Sequence, residues 1–209
     1  MSVRVGIVED DALLRSTLTE SLGSRDDIEV VSTGSTGVEI LAHAKDRTLD
    51  VALLDVHLGA GPSGFDLAAT LRSHLPLVGI VFLSSVKDPR LLGYNPAALP
   101  QGARYLLKSE LSDFEVLLDA LRSAHEDSLD KPAAPMPTIP FTQSQIEILR
   151  LVAAGHSNAA IAQERVVTER AVEVAVSRLA KHLGLREKPG ANQRVHIATT
   201  FFREMGWTK

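Results

Sequence analysis

The chain has 209 residues, 44% of them apolar, a formal net charge of −4 and no cysteine. This length holds one large domain or two small ones, and the absence of cysteine excludes a disulfide framework. Because there is no run of about 18 apolar residues and no basic-then-apolar amino terminus, we expect neither a membrane span nor an export signal, and we predict a cytoplasmic protein.

The first 126 residues alternate between short β-rich runs and helical stretches. The predicted strands read VRVGIV, IEVVS, VALLD, VGIVFLS and ARYLL. Predicted helices follow at Leu13–Leu18, Thr36–Ala44, Gly64–His74 and Ser112–His125, and the pairs Thr36/Glu39 and Ser112/Glu115 have capping-box spacing. Such alternation predicts an α/β fold, a flavodoxin-like doubly wound parallel five-stranded sheet of order 2-1-3-4-5. The stretch 88–102 is the exception, since three prolines and two glycines allow only a turn or two of helix.

A proline-rich stretch predicts a linker at residues 127–139, which separates a domain at 1–126 from one at 140–209. Beyond it the pattern predicts only helices, at 142–154, 157–164, 168–183 and 192–205, which is a separate all-α four-helix domain. The N-terminal part is acidic, with 11 Lys+Arg against 18 Asp+Glu in residues 1–126. The C-terminal part is mildly basic, with 10 Lys+Arg against 6 Asp+Glu in residues 141–209. Opposite charge balances predict different partners for the two domains.

Acidic and polar side chains follow the ends of four predicted strands. They are Glu9, Asp10 and Asp11 after the first, Asp55 after the third, Ser84 and Ser85 after the fourth, and Lys108 after the fifth. In the predicted order the first and third strands are neighbours, so the carboxylates converge where such sheets bind ligands. Three close carboxylates repel one another unless a cation joins them, and oxygen ligands suit Mg²⁺. With an ammonium and a hydroxyl nearby, this arrangement can neutralise a phosphoryl group during transfer.

The stretches IVEDDALLR, LLDVHL, VFLSS and ARYLLK resemble the receiver domain of two-component response regulators over about residues 1–126. The resemblance implies that Asp55 accepts a phosphoryl group from a sensor histidine kinase. It also implies that Asp10, Asp55 and the backbone carbonyl of His57 bind Mg²⁺, with Glu9 acting through water. The side chain of His57 by itself is better read as an exposed loop group.

The same resemblance makes Ser84 and Tyr105 the switch residues and Lys108 the family's lysine. From the residues alone, Tyr105 is equally well explained as a half-buried aromatic on an edge strand. Two departures from the family are visible: Arg104 stands where a glycine is usual, and the stretch around 94–96 interrupts the usual fourth helix. The surface that reports phosphorylation is therefore expected to be atypical.

Two glycine-rich stretches, Ser32–Gly37 and Gly59–Gly64, precede predicted helices. Neither has the GK[ST] ending of a P-loop or the GxGxxG pattern of a dinucleotide turn. We interpret both as loops and helix caps.

Two helices joined near 164–167 form the most informative part of the second domain. Val172, Val176, Leu179 and Leu183 share one face of the second helix, whose N-cap is predicted to be Thr168. The outward residues are Arg170, Glu173, Val174, Ser177, Arg178 and Lys181. A helix with a partly basic outer face suits the DNA major groove. A plain helical bundle with a solvated face is the alternative.

The stretches FTQSQIEILRLVAAGHSNAAIA, TERAV and LAKHLGL resemble the LuxR-type helix-turn-helix of NarL/FixJ response regulators over residues 140–209. The recognition helix departs from that family, because Glu173 replaces its usual Lys and Ala175 its usual His. DNA contacts then rest on Arg170, Ser177, Arg178 and Lys181, and we expect weak, dimer-dependent affinity.

The last helix has two explanations. The resemblance implies that Val195, Phe202 and Met205 help pair two domains, and a packed core stripe accounts for them equally well.

The interpretation is a transcription factor that acts as a homodimer when phosphorylated and binds double-stranded DNA, with no membrane partner. We expect no turnover of a small substrate, only acceptance of a phosphoryl group and its loss by self-hydrolysis. An aspartate-dependent phosphatase would need a second Asp where His57 stands, and a flavin carrier would need a phosphate loop where EDDA stands. A dimerisation module that is never phosphorylated, and a tail that binds protein rather than DNA, stay open.

Overall fold

The structure is a computed structural model, and it describes residues 2–46, 48–59, 61–95, 99–127, 139–184 and 192–206. The chain divides into two compact units, the first formed by 1–85 and 97–136 and the second by 86–96 and 137–209. The predicted linker at 127–139 lies almost wholly outside the described residues. No helix in the described ranges has the length and apolar character needed to cross a bilayer.

The first unit is built on a parallel five-stranded sheet of order β2-β1-β3-β4-β5, which confirms the predicted fold class and strand order. Its strands are β1 Val3–Val8, β2 Ile28–Gly34, β3 Val51–Asp55, β4 Gly79–Ser84 and β5 Arg104–Leu107. The strands β3 and β4 are buried at every position, as expected for central strands covered on both faces. Register pairs Val8 with Leu54 and Asp55 with Leu83, so the strands end at one edge.

Four helices flank this sheet: α1 Ala12–Gly23, α2 Val38–Lys45, α3 Gly64–His74 and α4 Phe114–Glu126. Two of the predicted caps were wrong. The N-cap of α2 is Gly37 and makes no side-chain cap bond, and α4 is capped by Asp113, whose carboxylate accepts from the Glu115 amide. Each N-cap lies one residue after the serine or threonine that matched the pattern. At α4 the Asp113 carboxylate takes the cap from Ser112, and at α2 the Thr36 hydroxyl makes only contacts of 3.4 Å, with the Val38 amide and the Glu39 carboxylate.

The glycine-rich stretches behave as structural elements. Ser32–Gly34 lies in β2, which corrects its prediction as a loop. Ser63 forms a full capping box with Asp66 at the start of α3, as the cap interpretation of Gly59–Gly64 expects. A Cβ on Gly64 would lie 2.2 Å from the Asp55 carbonyl oxygen, so a glycine is required where α3 approaches the end of β3.

The second unit contains α5 Gln143–Ala153, α6 Asn158–Glu164, α7 Glu169–His182 and α8 Gln193–Glu204. Thr142 and Gln145 form a capping box at the start of α5, and Ser157 and Thr168 cap α6 and α7 through their side chains. Met205 of the last helix is buried, whereas 58% of Val195 is exposed. The predicted stripe on α8 is therefore divided between core and surface.

A segment that precedes β5 also belongs to the second unit. Residues 86–96 contain a one-turn 3-10 helix, Pro89–Leu92, capped by Asp88 and ended by Gly93 at a φ of 90°. In the described part of residues 88–102, this matches the expectation of no more than a turn or two of helix. Val86 and Leu91 join the apolar cluster that holds α5 to α8 together.

Val166, in the turn between α6 and α7, has a φ of 53°, an unfavourable value for a β-branched residue. The side chain is 91% exposed and therefore contributes little burial energy. We expect Val166→Asn to raise the free energy of unfolding by about 1 kcal/mol, since asparagine tolerates the left-handed region. Urea unfolding followed by circular dichroism measures this change.

Val195→Asn is the matched control, because it makes the same chemical change at an exposed position inside α8. There we expect no gain, since asparagine has no advantage over valine inside a helix. Equal shifts for the two variants would contradict the argument from backbone conformation.

Candidate functional site

The carboxyl edge of the sheet gathers the acidic residues that the sequence places after the strands. One carboxylate oxygen from each of Glu9, Asp10 and Asp55 lies within 4.8 Å of the others. Glu9 and Asp55 are buried, with 0% and 3% of their surface exposed, and Asp10 is exposed. The neighbouring strands β1 and β3 produce this cluster because they end side by side.

Lys108, directly after β5, connects two of these carboxylates. Its Nζ donates to Glu9 Oε1 at 2.8 Å and to Asp55 Oδ2 at 2.9 Å. Asp55 Oδ1 accepts the backbone amide of His57 at 3.1 Å. The side chain of His57 is exposed, as the sequence predicts. Asp55 is thus held from two sides, by an ammonium and by a backbone donor.

Asp11, the third of the acidic residues that follow β1, caps a helix and is not part of this cluster. Asp11 Oδ1 accepts the amides of Leu13 and Leu14, at 2.8 and 3.0 Å, and so forms the N-cap of α1. These bonds direct its carboxylate to the helix terminus. Glu9 and Asp10 are therefore the pair that faces Asp55.

The donor set fits a hard divalent cation. Glu9 Oε2 is buried and has no hydrogen-bond partner among the described residues, which leaves one carboxylate oxygen for a ligand. Three carboxylates share a small volume with a single ammonium, so the site has an excess of negative charge. Oxygen atoms in this arrangement suit a cation that keeps part of its water shell.

The predicted switch residues lie on β4, the strand next to that of Asp55, and on β5, one strand further along the sheet. Ser84 ends β4 one position after Leu83, the register partner of Asp55, and only 2% of it is exposed. Tyr105 lies on β5 opposite Phe82 and is 9% exposed. Both side chains are therefore buried in this structure.

The second candidate site is the outer face of α7. Thr168, Arg170, Glu173, Val174, Arg178 and Lys181 are exposed, and Ser177 is half-buried. Arg170 forms an exposed ion pair with Glu173, in which its Nη1 donates to Glu173 Oε2 at 2.8 Å. The hydroxyl of Thr168 accepts the Ala171 amide as the helix cap. One predicted DNA contact is thus paired with an acidic neighbour, and another is used as a cap.

Two known family models match the chain, one in each part. The model of the response regulator receiver domain matches residues 5–122, more than half of the chain. The chain is a response regulator. The model of the LuxR family of bacterial regulatory proteins matches residues 140–195 and places a LuxR-type DNA-binding domain after the receiver domain.

Relatives of the regulator match it along nearly the whole chain. It is 27% identical over 208 residues to the oxygen regulatory protein NreC of Staphylococcus aureus strain JH9, which covers 90% of this chain and 94% of that protein. A structure of the Salmonella typhimurium response regulator RcsB matches with a TM-score of 0.58 at 18% identity, over 95% of this chain and 98% of that one. RcsB of Salmonella enterica serovar Typhimurium, bound to promoter rprA with the phosphomimetic BeF3-, matches with a TM-score of 0.53 at 16% identity, over 97% and 99%. These structural likenesses show the fold.

The sequence did not reveal the role of Asp88 in the regulator. This carboxylate is fully buried and is paired with Arg90 at 2.6 Å. The stretch Asp-Pro-Arg-Leu-Leu-Gly does carry a signal, because Asp before Pro starts a helical turn and Gly ends it. The pattern indicates the turn, but not where the turn packs.

Protonation of the acidic pocket is unusual in the metal-free regulator. Burial raises the pKa of Glu9 to about 7, and the charge of Asp55 adds to this effect, against the opposing hydrogen bond from Lys108. Burial lowers the pKa of Lys108, but its bonds to Glu9 and Asp55 outweigh that effect, so its pKa is raised. The ammonium stays charged while Glu9 holds a proton more readily than a surface carboxylate.

A pH dependence of stability follows from the raised pKa of Glu9. Folded protein binds more protons than unfolded protein between the ordinary value of 4.5 and about 7. The stability contributed by Glu9 is therefore complete below pH 4.5 and is lost as the pH rises to about 7. In EDTA, we expect Glu9→Gln to gain stability relative to the parent across this window, measured by urea unfolding.

Glu20→Gln serves as the control, since Glu20 is exposed on α1. Its stability relative to the parent should stay constant with pH. A flat difference between Glu9→Gln and the parent would contradict a raised pKa for Glu9.

Proposed function

We propose that the regulator is a transcription factor whose DNA binding is controlled by phosphorylation of Asp55. The observation that carries this proposal is the position of the Asp55 carboxylate, 2.9 Å from the Lys108 ammonium and within reach of the Glu9 and Asp10 carboxylates. The family places such a domain downstream of a sensor histidine kinase. The LuxR-type domain supplies the output on double-stranded DNA.

In the proposed reaction, an Asp55 oxygen attacks the phosphorus of a phosphohistidine on the kinase. The new P–O bond gives an acyl phosphate as the P–N bond breaks, and the imidazole leaves with a proton from solvent. Lys108 balances the charge that gathers on the phosphoryl oxygens. The His57 amide holds the carboxylate in place through its bond to Oδ1.

Glu9, Asp10 and Asp55 are the residues that would hold Mg²⁺, with the backbone carbonyl of His57 proposed as a further ligand. Bound there, the cation would neutralise phosphoryl oxygens during transfer. The unpartnered Glu9 Oε2 supports this assignment.

Ser84 and Tyr105 form the proposed switch. The Ser84 hydroxyl is positioned at the end of the strand next to Asp55 and would donate to a phosphoryl oxygen. Tyr105 is buried already and would follow the rearrangement of Ser84 across β4 and β5. A phosphoryl group adds charge and acceptor oxygens, so a bistable surface nearby responds to it.

The output is proposed to be DNA binding by a homodimer formed on phosphorylation. Arg178 and Lys181 are the exposed cations of α7 without an acidic neighbour described beside them, and Ser177 offers a hydroxyl on the same side. Val174 would supply an apolar contact, and Thr168 a position at the start of the recognition helix. The reaction is stoichiometric, one phosphoryl group for each chain, with loss by hydrolysis instead of turnover of a small substrate.

The test uses acetyl phosphate as phosphodonor and Mg²⁺ with the purified full chain. Intact-mass spectrometry should show one added phosphoryl group, and Asp55→Asn should show none. Asp27→Asn is the control, because Asp27 precedes β2 at the opposite end of the parallel sheet, pairs there with Arg122, and should leave the added mass unchanged. Labelling that persists in Asp55→Asn would overturn the assignment of the acceptor.

DNA binding is tested in the same samples. Phosphorylated protein should shift promoter DNA fragments at a lower concentration than unmodified protein, and sedimentation should show the dimer. Equal DNA affinity before and after phosphorylation would show that phosphorylation does not change DNA binding. That result would overturn the proposal that phosphorylation controls DNA binding.

A further inference from the structure

The connection between β4 and β5 is packed into the helical unit that carries the recognition helix. Residues 86–96 group with 137–209, although β4 and β5 both belong to the sheet of the first unit. Val86 and Leu91 are 6% and 1% exposed within the cluster that includes Ile146 and Leu149 of α5. The segment is therefore a part of the second unit's core.

A buried ion pair fixes this segment. Asp88 Oδ2 accepts Arg90 Nη2 at 2.6 Å and the backbone amide of Ile139 at 3.0 Å, and Oδ1 accepts Arg90 Nε at 3.0 Å. Arg90 also donates through Nη1 to the Phe141 carbonyl at 3.0 Å and through Nη2 to the Ile139 carbonyl at 3.2 Å. We name this set of bonds among Asp88, Arg90, Ile139 and Phe141 the clamp.

The clamp stands between two elements that matter for function. Ser84 is only four residues before Asp88, a distance of about 14 Å even for a fully extended chain. Phe141 directly precedes Thr142, the N-cap of α5. A shift of Ser84 therefore acts through a short stretch of chain on the residues that start the helical domain.

Bonds of this kind resist small shifts and then break. Asp88 is fully buried, so losing Arg90 or the Ile139 amide would leave a carboxylate without compensation. An interaction that tolerates little displacement gives two distinct states, one with the clamp closed and one with it open. The unmodified chain has it closed.

We propose that the clamp holds the DNA-binding unit in its low-affinity state, and that phosphorylation of Asp55 opens it by drawing Ser84 toward the phosphoryl group. This inference rests on the proposed function and adds the element that couples the two sites. Because coupling is reciprocal, weakening the clamp favours the state that phosphorylation favours.

Hydrogen exchange on the full chain tests the clamp without any change to it. The amides of Arg90 and Ile139 both donate to the Asp88 carboxylate, so both report its closure. Acetyl phosphate with Mg²⁺ should speed their exchange severalfold in the parent and leave it unchanged in Asp55→Asn. The protein could gain the phosphoryl mass and bind DNA more tightly while the exchange of these two amides stays unchanged. That result would overturn the role of the clamp and leave the proposed function intact. Protein that gains no mass would overturn the proposed function, and the inference with it.

Arg90→Gln gives the second readout. We expect tighter DNA binding by the unmodified variant, and a ratio of phosphorylated to unmodified affinity at least fivefold smaller than in the parent, since typical couplings are about 5–150-fold. Arg165→Gln is the matched control: Arg165 pairs with Glu147 in the same unit and is not part of the clamp, so the ratio should keep its parent value. A parent-like ratio in folded Arg90→Gln would contradict the proposal, and the exchange experiment decides the matter if the variant does not fold.

Discussion

Replacing Lys108 with methionine is expected to lower the free energy of unfolding of the metal-free protein by about 3–5 kcal/mol, the usual cost of removing one partner of a buried ion pair. Lys108 is the ammonium bonded to both Glu9 and Asp55, whose side chains are 1% and 3% exposed. Methionine keeps the apolar length of the side chain and removes the charge together with its two hydrogen bonds. Urea unfolding in EDTA at neutral pH measures the loss.

The same variant should respond more strongly to Mg²⁺ than the parent does. Three carboxylates without an ammonium attract a cation more strongly, and a ligand that binds only folded protein stabilises it in proportion to its affinity. Added Mg²⁺ should therefore recover more stability in Lys108→Met than in the parent. Isothermal titration calorimetry should give a lower dissociation constant for the variant.

Arg15→Met is the control. It removes a positive charge near the pocket without removing a hydrogen bond to any of its carboxylates. The Arg15 guanidinium lies beside the same residues, but it donates to the backbone oxygens of Glu9 and Asp10, not to their carboxylates. We expect a smaller loss of stability, and no gain in Mg²⁺ response of the size seen for Lys108→Met. A parent-like Mg²⁺ response in Lys108→Met would show that the carboxylates do not act together on a cation.

The sheet and its pocket could be predicted because both follow from local patterns. Two buried apolar strands that end in Glu9 and Asp55 must place those carboxylates at one edge once the strand order is known. Lys108 comes into reach for the same reason, since it directly follows β5. The position of Asp11 at the start of α1 could also have been derived, because a carboxylate directly before a helical run is a strong cap.

Other features depend on packing that no local pattern contains. At the start of α4, Ser112 and Asp113 compete for the cap, and such neighbours differ little in capping strength. At the start of α2 the cap position falls on Gly37, which has no side chain to bond. The stretch after β4 reads as a turn, yet its Asp88 is completely buried because Ile139, 51 residues away, completes its bonding. Contacts over such separations are set by tertiary structure alone.

The pairing of Arg170 with Glu173 is another feature that the sequence suggested only in part. An interval of three residues on a helix brings the side chains together, and the structure shows the bond at 2.8 Å. Glu173 therefore weakens binding to a polyanion such as DNA in two ways: its own negative charge is repelled, and it pairs with the positive charge of Arg170. In the proposed recognition helix α7, one substitution removes both effects.

Glu173→Lys is expected to tighten DNA binding by about tenfold or more at low salt, because it replaces a repelled charge with an attracted one and frees Arg170. A plot of the logarithm of the binding constant against the logarithm of the salt concentration should also have a slope that is more negative by about one to two. Each additional phosphate contact contributes about one to this change. Fluorescence anisotropy of labelled promoter DNA across a salt series measures both quantities. Glu173→Gln should fall between the parent and the lysine variant.

Glu147→Lys is the matched control for this experiment. It makes the same change of charge in the same unit, and Glu147 also pairs with an arginine, with Arg165 Nη2 at 3.3 Å from its carboxylate, at an exposure of 41% that is close to the 46% of Glu173. Because it belongs to α5, its effect should be limited to the long-range field of one more cation, which is small and screened by salt. If the two variants tighten DNA binding equally, net charge explains the gain and the face of α7 is not the DNA-contacting surface. If neither variant binds DNA at low salt and both bind a protein target without salt dependence, the output of this domain is a protein interaction.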